Sequence, residues 1–204
     1  MEMNTITTPT ALCFGPQAAA DPLYVDYHDT EWGRPVLNDI DLFERVCLEI
    51  FQVGLSWRTV LYKRDAFRNS FADFDSEVVA RFSECDIERL LGDARIIRNR
   101  AKINACITGA RAVQAMHEAG ELLDDLIWQF RPITHQRPES ASKPAATPES
   151  FALAKELRSR GFKFVGPVNM YATLQACGVV NDHVVGCPIG DAIDYELPYG
   201  FNKW

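Results

Sequence analysis

Cys13 and His28 towards one end of the chain, and His183 and Cys187 towards the other, are the residues that most constrain its fold. His183 and Cys187 stand at i and i+4 in Asn181-Asp182-His183-Val184-Val185-Gly186-Cys187, which on a helical turn puts both side chains on one face. Two thiolates and two imidazoles make a closed tetrahedral set, the ligand chemistry of structural zinc. If both halves meet, one metal ion ties residue 13 to residue 187 and leaves little of the chain outside the closed loop. The competing reading is a buried, hydrogen-bonded histidine beside a cysteine that fills apolar space. H-x3-C has no CxxC companion here, so spacing alone leaves both readings open.

The rest of the chain is punctuated as helices. Asp21-Pro22 supplies a cap and a first-turn proline for a short helix over Leu23–Trp32, stopped by Gly33. Asn38 or Asp39 caps a second, running to about Val53 and ended by Gly54. Ser56 caps a third to about Lys63, and Ser76 a fourth. A long helical pattern from about Asp86 to Ala119 breaks near Gly92, and a short one spans Leu122–Phe130. Residues 131–148 carry four prolines and no periodicity, so they read as a surface loop. Thr147-Pro148 restarts a helix to about Arg160, and another spans Val168–Cys177. No alternating strand pattern interrupts this series. The fold class expected is all-α, with one domain over 13–187, an N-terminal extension before it and a tail over 188–204.

Composition narrows the class further. The 204 residues are 47% hydrophobic and 24% charged, ordinary for a globular protein large enough to bury a core without disulfides. Of the six cysteines, Cys47, Cys106 and Cys177 lie in helix-like apolar patterns and Cys85 in a charged stretch, a scatter that does not read as a disulfide framework and points to a reducing cytoplasm. The first residues lack the basic and apolar regions of a secretory leader, and no apolar run reaches the ~18–20 residues of a membrane span. A net charge of −7 argues against a nonspecific polyanion binder. A local basic face is still compatible with DNA, and two clusters offer one: Arg95, Arg98, Arg100 and Lys102, and Lys155, Arg158, Arg160 and Lys163.

On a helical wheel of residues 42–53, Glu49 falls beside Leu42, Val46 and Val53 at the edge of the apolar stripe. A carboxylate there is partly desolvated and has either a raised pKa or a dedicated partner. Tyr24, Tyr27, His28 and Glu31 share one face of the first helix, with Trp32 beside them, and Trp57 follows Gly54-Leu55-Ser56. Such aromatics suit a flat cationic ligand, although aromatics at helical spacing are more often core. Arg160-Gly161-Phe162-Lys163-Phe164-Val165-Gly166-Pro167 reads as a glycine-bearing hairpin between two helices. Backbone N–H groups at the start of the second would suit a phosphate; a plain αα-turn is the alternative.

These residues carry a family resemblance. Asp21 to Tyr24, Tyr27 to Gly33, Leu48-Glu49 with Gln52, and Gly54-Leu55-Ser56-Trp57 resemble the DNA-3-methyladenine glycosylase I (Tag) family. Ile96-Ile97-Arg98 with Arg100 and Lys102, residues 160–167, Gln175-Ala176-Cys177-Gly178 and Val180 to Cys187 continue the match in order over residues 13–187. The resemblance implies a helix-hairpin-helix glycosylase that removes 3-methyladenine from alkylated double-stranded DNA, acting as a monomer without a membrane partner. It implies structural zinc on Cys13, His28, His183 and Cys187, and a base-contacting role for Glu49. Tyr24, Tyr27, Trp32 and Trp57 match pocket aromatics, and Leu55 a residue that fills the gap left by a flipped nucleotide. The chain departs from the family at Phe14-Gly15, where the family shows Cys-x-Trp, and at Ile50, where it more often has a small residue. These departures motivate the alternative of a noncatalytic alkylated-DNA binding module of the same fold. Asn181 stands where many helix-hairpin-helix glycosylases place a catalytic aspartate, with Asp182 displaced by one, so no aspartate is expected to act on the sugar.

Overall fold

The computed structural model describes residues 8–196, with side chains to residue 193. In chain order the helices are α1 Pro9–Phe14, α2 Pro16–Ala19, α3 Pro22–Thr30, α4 Asp39–Gln52, α5 Trp57–Leu61, α6 Arg64–Ser70 and α7 Ser76–Ala80. Then come α8 Glu84–Gly92, α9 Arg100–Glu118, α10 Leu123–Trp128, α11 Pro148–Ser159, α12 Pro167–Ala176 and α13 Pro188–Glu196. No strand occurs among the described residues.

Local chemistry sets most of these boundaries. The Asp21 carboxylate accepts from Leu23 N at 3.1 Å, Asn38 Oδ1 from Asp41 N at 2.9 Å and Ser56 Oγ from Thr59 N at 3.3 Å, each satisfying a donor that the first helical turn leaves open. Thr147 and Ser150 cap α11 reciprocally, with proline at its first position. The cap of α7 is Asp75 rather than Ser76, because the carboxylate of Asp75 reaches Glu77 N and Val78 N. The helical pattern from Asp86 to Ala119 is two helices separated by residues 93–99, with Asn99 capping the second. Residues 188–196, expected as tail, begin with a proline-started helix whose Ile193 is fully buried. Residues 1–7 of the expected extension and 197–204 of the expected tail lie outside the described residues.

The chain forms two compact units, one from the described parts of 36–131 and 145–174, the other from those of 1–35, 132–144 and 175–204. In the first, α4 packs on α5, α9 and α10, and α9 also packs on α7 and α8. Its core is phenylalanine-rich: the Phe51 and Phe67 centroids lie 4.3 Å apart, and Phe71 stacks on Phe74 at 5.6 Å. Helix α4 is buried nearly all round from Leu42 to Phe51, Glu44 and Glu49 included. A sequence with a single apolar stripe does not announce this. Burying each of these phenylalanines contributes roughly 1.5–3 kcal/mol.

In the second unit α1, α2 and α3 pack on one another. Residues 132–144 have no regular structure. They are held by Val185 N donating to Pro138 O at 2.9 Å and by the side chains of Arg137 and Lys143.

Candidate metal centre and buried carboxylate

The structure brings Cys13, His28, His183 and Cys187 together in the second unit, at 0–1% exposure, with their ligand atoms within 4.8 Å of one another. His183 Nδ1 lies 3.7 Å from Cys13 Sγ and 3.5 Å from Cys187 Sγ, and His28 Nε2 lies 3.8 Å from Cys187 Sγ. A tetrahedral ion with metal–sulfur bonds of about 2.3 Å and metal–nitrogen bonds of about 2.1 Å has S···N edges of roughly 3.6 Å. The observed edges fit that figure. The second nitrogen of each ring is also engaged: His28 Nδ1 lies 2.6 Å from Asp29 Oδ1, and His183 Nε2 3.0 Å from Trp32 O. When those nitrogens carry the protons, the facing nitrogens are free to bind a metal, the pattern of metal-ligating histidines. Val184 N donates to Cys13 Sγ at 3.3 Å, a bond that favours the thiolate.

The two thiols split in acidity. Its hydrogen bond with Cys13, then those with His183 and His28, drive Cys187 well below the usual thiol range against the opposing effect of burial. The same Cys13–Cys187 bond, with burial, drives Cys13 upward.

Neighbouring residues hold this centre in shape. Arg137 donates Nε to His183 O at 3.0 Å and Nη2 to Val184 O at 2.8 Å and Cys187 O at 3.2 Å, so one guanidinium spans the loop bearing two ligands. A Cβ on Gly190 would lie 2.4 Å from His183 Cβ and 2.5 Å from Arg137 Nη2, and one on Gly33, at φ +77°, 2.9 Å from His183 Nε2. Asn181 Nδ2 donates to Gly190 O at 2.9 Å, and its Oδ1 accepts from His183 N at 3.3 Å. Asp182 accepts from Gln175 Nε2 at 2.6 Å and pairs with His135 Nε2 at 2.8 Å. Asn181 and Asp182, at the place where many helix-hairpin-helix glycosylases carry a catalytic aspartate, are thus both committed to protein partners.

Aromatic rings surround the ligands. Phe14 lies 4.6 Å from Trp32, 5.4 Å from His28 and 5.9 Å from Tyr24, and Trp32 lies 4.6 Å from His183. Phe14 thus supplies a ring near Trp32, where the sequence suggested a missing aromatic. Tyr27 and Trp32 are buried and Tyr24 is half-buried. Lys143, from the proline-rich segment, donates to Cys13 O at 3.0 Å with its ammonium 5.0 Å from the Trp32 centroid.

In the first unit Glu49 is 4% exposed and its Oε2 has no hydrogen-bond partner. Burial pushes its carboxyl up to about 8, against the lowering pull of Arg45 one turn earlier. Ile50 beside it is fully buried. Leu55 is 43% exposed in the turn after α4, at Gly54 with φ +78°, and Trp57 opens α5 half-buried.

A stability consequence follows from the Glu49 carboxyl. Its folded pKa lies above its unfolded one, near 4.5, so between about 4.5 and 8 the folded state holds more protons and loses stability as pH rises. Glu49→Gln removes that loss. The variant's unfolding free energy relative to wild type is expected to grow by about 4 kcal/mol between pH 5 and pH 8.5, read by denaturant titrations at the two pH values. A gap independent of pH would contradict the assignment.

The hairpin between α11 and α12 is ordered by Asn169, whose Oδ1 accepts from Gly166 N at 2.6 Å and whose Nδ2 donates to Phe164 O at 2.8 Å. Phe164 sits at φ +58° with its ring 45% exposed. The basic clusters are largely spent on the protein itself. Arg95 pairs with Asp93, Arg100 with Glu84 and Glu88, and Arg160 with Glu121 and Glu156. Lys102 is 5% exposed and faces the end of α4. Exposed Arg98, Lys155 and Lys163 have no ion pair among the described residues.

A helical fold with a buried cysteine–histidine quartet and a buried carboxyl group invites comparison with known proteins. DNA-3-methyladenine glycosylase 1 of Escherichia coli is 51% identical over 170 residues, spanning 82% of this chain and 91% of that protein. A crystal structure of 3-methyladenine DNA glycosylase I (TAG) superposes with a TM-score of 0.79 at 50% identity, covering 82% of this chain and 93% of that one. A variant of a TAG enzyme solved in complex with 3-methyladenine superposes at 0.82 with 32% identity, covering 89% and 97%. The methyladenine glycosylase family model matches residues 17–190, and this chain belongs to that family.

Proposed function

We propose that this protein is a monofunctional DNA glycosylase that hydrolyses the N-glycosidic bond of 3-methyladenine in alkylated DNA. Within the family, the observation that carries the reading is Glu49, a buried carboxyl with an unpartnered oxygen. Methylation at N3 makes the adenine a cation. As the C1′–N9 bond breaks, its electron pair neutralises that charge, and water adds to C1′ and loses a proton to solvent. The chain therefore need not protonate the leaving group strongly. A cation beside Glu49 favours its ionised form, which accepts from the N–H groups of the base; neutral adenine gives no such gain. Tyr24, Tyr27, Trp32 and Trp57 are the proposed stacking aromatics, each face worth roughly 0.5–2 kcal/mol to a cation. Leu55 is the proposed filler of the gap left by the flipped nucleotide. Lys163 and the Asn169-ordered hairpin are the proposed phosphate contacts, so affinity should fall with salt. Ionisation of Glu49 in the free enzyme makes kcat/KM rise with pH and level off above about 8.

Cys13, His28, His183 and Cys187 are the proposed ligands of a structural zinc ion. Four protein ligands close its shell, so the ion would supply folding energy and no open position for a reacting water. The protein is read as a cytoplasmic monomer. No helix among the described residues is long and apolar enough to cross a membrane.

Free 3-methyladenine released from methylated duplex DNA tests the activity directly. A folded, zinc-loaded wild type that retards such DNA without releasing base would be the binding module instead. Asn181→Ala should lower stability by about 1–3 kcal/mol, through its lost bonds to Gly190 and His183, while folded molecules excise within a few-fold of wild type. An excision loss as deep as that of Glu49→Gln in a fully folded sample would instead give Asn181 a part in the chemistry.

A further inference from the structure

Lys102 is placed where a lysine is costly. It is 5% exposed and lies in the first turn of α9, the end of a helix that repels cations. No carboxylate pairs with it among the described residues, and an unpaired buried cation is destabilising. Its ammonium instead donates to Phe51 O at 2.8 Å and Val53 O at 2.5 Å. Those carbonyls belong to the last turn of α4, whose partial negative charge attracts a cation. Phe51 is thereby held at both ends, its ring against Phe67 and Phe71 and its carbonyl by Lys102. Glu49 lies two residues before Phe51, and Leu55 two residues after Val53.

We propose that Lys102 is a positioning residue for base excision, which clamps the end of α4 and so sets the turn that presents Leu55 while holding Glu49 in register. The proposal rests on the roles proposed above for Glu49 and Leu55. Lys102 itself touches neither the base nor the sugar. Beyond Lys102, the turn is closed by Leu55 N donating to Gln52 O at 2.7 Å and ends at the Ser56 cap of α5; its residues Val53, Gly54, Leu55 and Ser56 are exposed, and Gly54 takes φ +78° with open space around it. A salt bridge would compete for the ammonium, and two carbonyls of one turn are a more specific target than a mobile carboxylate.

The test compares Lys102→Met, Lys102→Arg, Leu55→Ala and the Lys102→Met/Leu55→Ala double variant by single-turnover release of 3-methyladenine and by binding to undamaged duplex. Lys102→Met is expected to slow release at least tenfold while binding to undamaged duplex stays within about threefold, and Lys102→Arg to recover most of the rate. The double variant should be no more than about twofold slower than Lys102→Met, because both changes disable the same turn. A slow-down in the double variant equal to the product of the single effects would overturn the proposal, as would a wild-type rate in Lys102→Met. If Lys102→Met fails to fold by far-UV circular dichroism, Lys102→Gln replaces it. That variant removes the charge but keeps a donor, and should likewise slow release and be non-multiplicative with Leu55→Ala; a wild-type rate or independence would again overturn the clamp. Failure of the functional reading is distinguishable, because the wild type would then release no base, while failure of the roles given to Leu55 and Glu49 would leave release unchanged in Leu55→Ala or Glu49→Gln.

Discussion

Glu49→Gln is expected to cut single-turnover release of 3-methyladenine by about 10²–10³-fold, the usual cost of losing one preorganised electrostatic partner of a charged transition state. The substitution keeps the volume and one acceptor oxygen but removes the capacity to carry a negative charge. In the wild type that charge is held back by burial, which raises the carboxyl to about 8 in the free protein, and only Arg45 opposes the shift. A cationic base reverses the balance on binding. The loss should therefore appear in the rate on 3-methyladenine and leave binding to undamaged DNA almost untouched. The variant should be no less stable than wild type at pH 8, since it no longer ionises a desolvated group. A Glu49→Gln enzyme that releases base at more than a tenth of the wild-type rate would remove Glu49 from the chemistry.

Cys187→Ser, the second large effect, is expected to abolish stoichiometric zinc and lower the thermal midpoint by about 10–15 °C. The figure has two supports. Loss of a structural metal belongs to the substitutions costing upwards of about 4–5 kcal/mol, and at this chain length each kcal/mol moves the midpoint by roughly 2–4 °C. Independently, Cys13 and His183 are 170 residues apart, and cross-linking a loop of that size restricts the unfolded chain by about 5 kcal/mol on the entropic estimate used for disulfides. Metal content by elemental analysis and melting with and without a strong chelator read both quantities. A chelator-stripped wild type melting at the same temperature as the loaded protein would show that the quartet holds its geometry by hydrogen bonds alone.

The sequence and the structure agree best where the determinant is local. Asp21, Asn38, Ser56 and Thr147 each cap the helix they precede, because a cap acts within three residues of itself. The agreement fails where the determinant is distant. Lys102 sits in a cluster that reads as a basic face, and only the meeting of α9 with the end of α4 shows its charge turned inward. Arg137 and Lys143 lie in a stretch with no periodicity, so nothing nearby in sequence marks them as supports of the segments that carry Cys13, His183 and Cys187. Helix α13 has no local signal in the sequence, because its burial rests on Ile193 and on the space that Gly190 leaves beside His183.

What the sequence by itself determined was the helical class, most helix starts, the proline-rich break and the ordered motifs that mark the family. These follow from capping, backbone restriction and apolar period, which act over one or two turns. Tertiary structure alone decided that Cys13, His28, His183 and Cys187 meet with their sulfur and nitrogen atoms within 4.8 Å, and that Glu49 is buried outright rather than lying at a stripe's edge. It alone aimed Lys102 at two carbonyls. Burial and long-range approach depend on which elements pack together, and a carboxylate or a lysine acquires its chemistry from the dielectric and the partners that this packing imposes.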